Sequence, residues 1–191
     1  MLAKLTQVQA SQILALQVTT TKEQGMQADT RSLLQGFPPV IDQHTHTLVL
    51  GSFPGEASLQ AVQYYAYKQN QFWRLMSASL DTDMLALAYQ QRLDCLLAHG
   101  VGLWDVFHSC LRSGSLDSAI REGKLNDFSG LQAQHPQLRK LCFNGQTAGK
   151  MAGYFSERGY QTAILPSSSP AYAMRSFEDK LREWKAQFQG D

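Results

Sequence analysis

Cysteine is scarce in this chain of 191 residues: Cys95, Cys110 and Cys142 are all there is. They are far apart and no Cys-x-x-Cys pair occurs, so neither a disulfide framework nor a thiolate metal site is indicated. Each sits in an apolar stretch, which suits ordinary packing. Long hydrophobic runs are also missing. No segment is long enough to span a bilayer, and no secretory h-region opens the sequence. An excess of one charge is absent too, since 17 basic and 16 acidic residues leave a net charge of +1. A nucleic-acid partner therefore gets no support from global charge. Lys150, Arg158, Arg175, Lys180, Arg182 and Lys185 cluster late in the chain, but Glu157, Glu178, Asp179 and Glu183 lie among them, which reads equally as a mixed solvated face. There is no Gly-x-Ser-x-Gly elbow and hence no sign of that hydrolase class. Internal repeats are absent.

Hydrophobic residues make up 43% and charged residues 17% of the chain, as in a globular protein able to bury a core. Residues 1–35 read as an extension of unassigned role. Within it, Leu2, Leu5, Ile13 and Leu16 suit a helix, and Thr19 to Gln35 is polar and loop-like. Gly36-Phe37-Pro38-Pro39 marks entry to a compact domain over residues 36–191. Strands are expected at Thr47–Gly51, Val101–Phe107, Leu138–Phe143 and Thr162–Leu165. Helical faces follow from Phe72, Trp73, Met76 and Leu80; from Tyr89, Leu93, Leu96 and Leu97, with Asp83 as a cap; and from Ala148, Met151, Ala152 and Phe155. Ser176 to Asp179 resembles a capping box that opens a last helix with Phe177, Leu181, Trp184 and Phe188 inward. Alternating strands and helices imply an α/β fold with a mostly parallel sheet and helices on both faces.

Two strand ends carry the functional signal. Leu48-Val49-Leu50 runs into the turn Gly51-Ser52-Phe53-Pro54-Gly55, followed by Tyr64-Tyr65 and by Asn70-Gln71-Phe72-Trp73. Ile164-Leu165 runs into Pro166-Ser167-Ser168-Ser169-Pro170-Ala171. Open α/β sheets place their chemistry at such strand ends. Between them come Gly102-Leu103-Trp104-Asp105-Val106, Gly114-Ser115-Leu116-Asp117, Asn126-Asp127-Phe128 and Phe143-Asn144-Gly145. In this order the segments resemble the uracil-DNA glycosylase superfamily, and most of all its hypoxanthine-DNA (deoxyinosine) glycosylase branch, over about Gly36 to Gln187. The resemblance implies a three-layer α/β/α fold with a short, mostly parallel central sheet. It also implies a monofunctional activity that flips a deaminated base, hypoxanthine or else uracil, and hydrolyses its N-glycosidic bond to leave an abasic site. No metal or organic cofactor is implied, and the superfamily's iron–sulfur branches would need a fourth cysteine. The rival readings are a uracil or mismatch glycosylase and a DNA-binding module on the same fold without turnover.

The resemblance also assigns residues. Ser52 stands where the superfamily usually has its motif-one Asn, and the Asn of N-x-F-W, here Asn70, takes the catalytic role. A carboxamide can orient the attacking water without titrating, and Asn70 suits a helix cap as well. Tyr65 matches an aromatic that stacks on the flipped base, with Tyr64 beside it as the competing assignment. Ser52 and Phe53 offer backbone N–H groups to a carbonyl of the leaving base. Asn144 is the base-recognising amide, although Asn-Gly is also a plain turn signal. Ser167, Ser168 and Ser169 suit phosphate contacts. Tyr172 and Met174 suit a wedge in the vacated stack, with Arg175 on a phosphate. Tyr67-Lys68 replaces a common His-Pro and Tyr172 replaces a common Asn, departures that bear on the substrate rather than the architecture.

Two motifs are set aside. Gly145 to Met151 is one residue too short between its glycines for a P-loop and lacks Ser/Thr after Lys150. His44 and His46 have no evident partner ligand. The expected partner is DNA carrying a deaminated base, bound by a monomer in the cytoplasm at the nucleoid.

Overall fold

The computed structural model describes residues 33–188. The helix expected within Leu2 to Leu16 and most of the expected extension lie outside the described residues. The strands are β1 (Leu33–Gln35), β2 (Thr47–Gly51), β3 (Val101–Asp105), β4 (Phe107–Leu111), β5 (Arg121–Leu125), β6 (Lys140–Asn144) and β7 (Gln161–Leu165). The helices are α1 (Glu56–Ala61), α2 (Phe72–Ser79), α3 (Tyr89–Ala98), α4 (Leu131–Gln134), α5 (Gln146–Gly149), α6 (Ala152–Ser156) and α7 (Phe177–Phe188), with a 3-10 turn at Asp117–Ala119.

The main sheet has four parallel strands in the order β3-β2-β6-β7. β2 lies inside it, and Leu48, Val49 and Leu50 are wholly buried, so its sequence is a continuous apolar run. Successive side chains alternate between the faces. Val49, Leu103 and Cys142 join Phe72, Trp73, Met76, Leu96 and Trp184 in one core layer. Leu48, Leu50, Leu141 and Phe143 join Phe128, Leu131, Ala148 and Phe155 in the other. Thus α2, α3 and α7 cover one face and α4, α5 and α6 the other, giving the expected α/β/α layers. Burial of each such aliphatic side chain stabilises the fold by about 1.5–3 kcal/mol.

The chain passes from β2 to β3 on one side and then to β6 on the other. That reversal makes a crevice at the carboxyl ends of the strands. The register puts Gly51 opposite Asp105, and Asn144 ends β6 one position past the Leu50–Phe143 pair.

Several expectations needed correction. The strand expected over Val101–Phe107 breaks at Val106, where the Val106 and Phe107 N–H groups donate to the Gly51 and Ser52 carbonyls at 2.8 and 3.0 Å. Beyond that point β2 has turned away, so β4 finds antiparallel partners instead, in a second sheet of order β1-β4-β5. β1 shows that Leu33–Gln35, read as loop, pairs with β4. β5 is exposed along its whole length and has no alternation to betray it. The single stripe from Ala148 to Phe155 is two short helices. Asp83 caps nothing on α3: that helix begins after Ala88, whose N–H donates to Gln91 Oε1 at 3.0 Å. The Ser176 cap is present, with Asp179 N–H donating to Ser176 Oγ at 3.1 Å.

Candidate active site

A cleft of about 770 Å³ opens at the carboxyl ends of β2, β3 and β6. Its floor is Gly51, where any Cβ would collide with the Asp105 carboxylate and stand 3.1 Å from the Tyr65 hydroxyl. A glycine is needed there because both side chains cross over the end of β2. The chain then turns through Ser52, Phe53 and Pro54, all buried. Ser52 Oγ donates to Asp117 Oδ1 at 2.6 Å. The Arg112 guanidinium lies 5.0 Å from the centre of the Phe53 ring and donates to the Pro54 carbonyl. The turn is therefore held by residues far away in sequence.

Tyr65 adopts φ 54°. Its ring stacks on Phe72 at 3.7 Å and 11°, so one face is taken by the fold. Its hydroxyl accepts from Asn144 Nδ2 at 3.2 Å, and burial holds that phenol well above the usual range. Tyr64 is bound differently: its hydroxyl donates to the Pro38 carbonyl at 3.2 Å and Phe37 packs edge-on against its ring. Of the pair, Tyr65 is the one whose hydroxyl reaches the strand ends.

Asn70 lines the cleft. Its Oδ1 accepts the Phe72 N–H at 2.9 Å, supplying one of the acceptors that the first turn of α2 lacks. Cap and cleft wall are thus one residue. Asn144 is more committed. Its Oδ1 accepts the Ser168 N–H at 2.8 Å, and Nδ2 donates to Ser168 Oγ at 2.8 Å as well as to Tyr65. Both amide protons are spent on the fold, so only its remaining acceptor capacity is left for a ligand.

The Ser/Pro loop borders the cleft, but its three serines differ. Ser168 is wholly buried, and its Oγ accepts from Asn144 Nδ2, which braces the loop against β6. Ser167 Oγ accepts the Ser169 N–H at 3.2 Å, and Ser169 Oγ accepts the Ala171 N–H at 3.3 Å. Met174 is 89% exposed, and Tyr172 lines the cleft. Arg175 is ion-paired with Glu183, so the expected open phosphate ligand is engaged on α7. Arg182 pairs with Asp179 at 3.3 Å, Arg158 lies over the Tyr154 ring at 3.6 Å, and Lys180 is buried.

Sequence reasoning missed four residues that organise the cleft. Asp105 ends β3 and is 4% exposed. Burial pushes its carboxyl up to about 7; neighbouring Asp117 adds to this and Arg112 opposes it. Asp117 and Arg112 hold the turn. Lys180 donates to Gln71 Oε1 at 3.0 Å and to the Tyr172 carbonyl at 2.8 Å, tying the start of α2 to the Ser/Pro loop. Only Asp105 had a readable signal, as a lone acid in an apolar strand.

The model of the uracil DNA glycosylase superfamily matches residues 38–191. A hypoxanthine DNA glycosylase of Methanosarcina acetivorans is 42% identical over 154 residues, which is 81% of this chain and 97% of that one. A second of the same name, from Methanosarcina barkeri, is 41% identical over the same shares. The solution NMR structure of a candidate uracil DNA glycosylase from Methanosarcina acetivorans superposes with a TM-score of 0.76 at 41% identity, covering 83% of this chain and 98% of that one. On these matches the chain belongs to the uracil DNA glycosylase superfamily.

Proposed function

We propose that this protein is a monofunctional DNA glycosylase that releases hypoxanthine from DNA and leaves an abasic site. The observation that carries the reading is the cleft itself. It has the volume of a small-molecule site, it lies where the strand order reverses, and it is walled by a braced aromatic and a carboxamide. The two archaeal relatives named hypoxanthine DNA glycosylase support the choice of base.

The geometry supports a simple division of labour. A deaminated nucleotide swings out of the duplex into the cleft. Its base lies against the face of Tyr65 that Phe72 leaves open. Backbone N–H groups of Ser52 and Phe53 offer donors to the carbonyl oxygen of the base, which gains electron density as the bond breaks. Asn70, held by its bond to Phe72, orients the water that adds to the sugar, and Asn144 contributes an acceptor at the base edge. Ser167 and Ser169 border the flanking phosphates. Tyr172 and exposed Met174 fill the gap in the stack. Among the described residues no lysine lines the cleft, which fits hydrolysis rather than a Schiff-base lyase. Arg175 reaches a phosphate only by leaving Glu183.

A DNA substrate fits work at the nucleoid, and a monomer fits a site whose named residues all come from one chain. Among the described residues no helix is long and apolar enough to cross a membrane. The test is to incubate the protein with duplexes carrying hypoxanthine, uracil, xanthine or a mismatch and to score abasic sites. Release of hypoxanthine ahead of the others is expected. Preferred release of uracil would move the substrate, and tight lesion binding without any abasic sites would refute an enzymatic role.

A further inference from the structure

Water and backbone donors leave one need of purine release unmet. Hypoxanthine leaves as an anion unless a ring nitrogen gains a proton while the bond to the sugar breaks. Among the described cleft residues few groups can give one. Asn70 and Asn144 are carboxamides. The Ser52 proton is directed at Asp117. Burial makes the Tyr65 and Tyr64 phenols poorer acids than usual. Glu56 is exposed at the cleft's edge.

Asp105 differs from all of these. It lines the cleft at the end of β3, beside Gly51 and the Tyr65 hydroxyl. Its Oδ2 is buried without a hydrogen-bond partner among the described residues. A buried carboxylate left without a partner is costly, and a buried carboxylic acid much less so. We propose that Asp105 is the proton donor of this cleft, giving its carboxyl proton to N7 of the departing purine. The inference rests on the hypoxanthine glycosylase reading and deepens it.

The step balances. The bond between sugar C1′ and base N9 breaks, and its electron pair stays on the base. The Asp105 O–H bond breaks, its proton bonds to N7, and neutral hypoxanthine departs. Water adds to C1′ and releases a proton, which returns to the Asp105 carboxylate. The charged and titratable groups around Asp105 are Asp117 on the 3-10 turn, Arg112 after β4, and Tyr64 and Tyr65 after α1. Burial and Asp117 favour the protonated form and Arg112 opposes it, with the balance at about 7. A donor poised near the working pH is the arrangement that general acid catalysis favours.

The test is single-turnover excision from pH 5.5 to 8.5 with two duplexes, one carrying hypoxanthine and one carrying 7-deazahypoxanthine, which has no N7. With hypoxanthine the wild-type rate should fall as pH rises through about 7. Asp105→Asn should be slower by ~10²-fold or more at pH 6, with a flat profile. Wild-type protein on the 7-deaza duplex should drop to the level of that variant, and the variant should not distinguish the two bases. The 7-deaza arm uses unaltered protein, so a folding defect in the variant cannot mimic it. A flat wild-type profile, equal wild-type rates on both bases, or an Asp105→Asn protein as fast as wild type would each overturn the proposal and leave the glycosylase reading intact. No release of hypoxanthine by wild-type protein at any pH would overturn that reading and this one with it.

Discussion

Replacing Asp105 with asparagine should change stability in a way that depends on pH, whatever the protein's substrate. The carboxyl titrates near 7 in the fold against 3.8 as its ordinary value. Its folded pKa is raised, so the stability it contributes is full below about pH 4 and is lost as pH rises to about 7. At about 1.4 kcal/mol per pKa unit, ionising Asp105 inside the fold costs about 4 kcal/mol relative to the unfolded chain. About 3 kcal/mol of this falls between pH 5 and 8. Asparagine has nearly the same shape and never ionises. The stability of Asp105→Asn relative to wild type should therefore climb by about 3 kcal/mol across that range and level off above pH 7. Urea unfolding of both proteins at pH 5, 6, 7 and 8 measures it, and taking the difference cancels all other titrating groups. A difference that stays constant with pH would mean that Asp105 is ionised throughout in the fold, and the argument from burial would be refuted.

Asn70→Ala should cost about 1 kcal/mol of stability through the lost cap while lowering single-turnover excision ~10²-fold or more with lesion-DNA binding retained; near-normal excision by the folded variant would leave Asn70 only a cap. Tyr65→Phe keeps the stack on Phe72 and loses the Asn144 bond, so it should excise better than Tyr65→Ala, which loses roughly 1–3 kcal/mol of base stacking; equal damage from both would give the role to the hydroxyl. Gly51→Ala should destabilise the protein by about 1–3 kcal/mol in a thermal or urea melt, because its methyl meets Asp105 and Tyr65. The double variant Tyr172→Ala/Met174→Ala should lose excision on a fully paired lesion and much less on single-stranded or mismatched lesions, where extrusion is easier; an equal loss in all three contexts would show that the loop is no wedge.

Local pattern alone determined much of the architecture. The apolar run Leu48-Val49-Leu50 reads as a strand, and the spacing of Phe177, Leu181 and Trp184 reads as a helix with one inward face. Periodicity survives folding because it is what burial selects. The turn after β2, Asn70 at the start of α2 and the Ser/Pro loop after β7 were equally visible, since each is a break in a periodic segment. What stayed hidden depends on partners distant in sequence. β5 is exposed throughout and exists only because β4 offers it an edge. That Asn144, on another strand, holds Ser168 through both its backbone and its hydroxyl was not visible in either segment. Arg175 looked open until α7 brought Glu183 to it. Asp105 shows in the sequence only as a lone acid in an apolar strand, and its raised pKa comes from the closing of β2, Tyr65 and the 3-10 turn around it. Propensity and pattern are local properties, whereas desolvation, amide satisfaction and charge pairing are set by whichever groups the fold brings within a few ångströms.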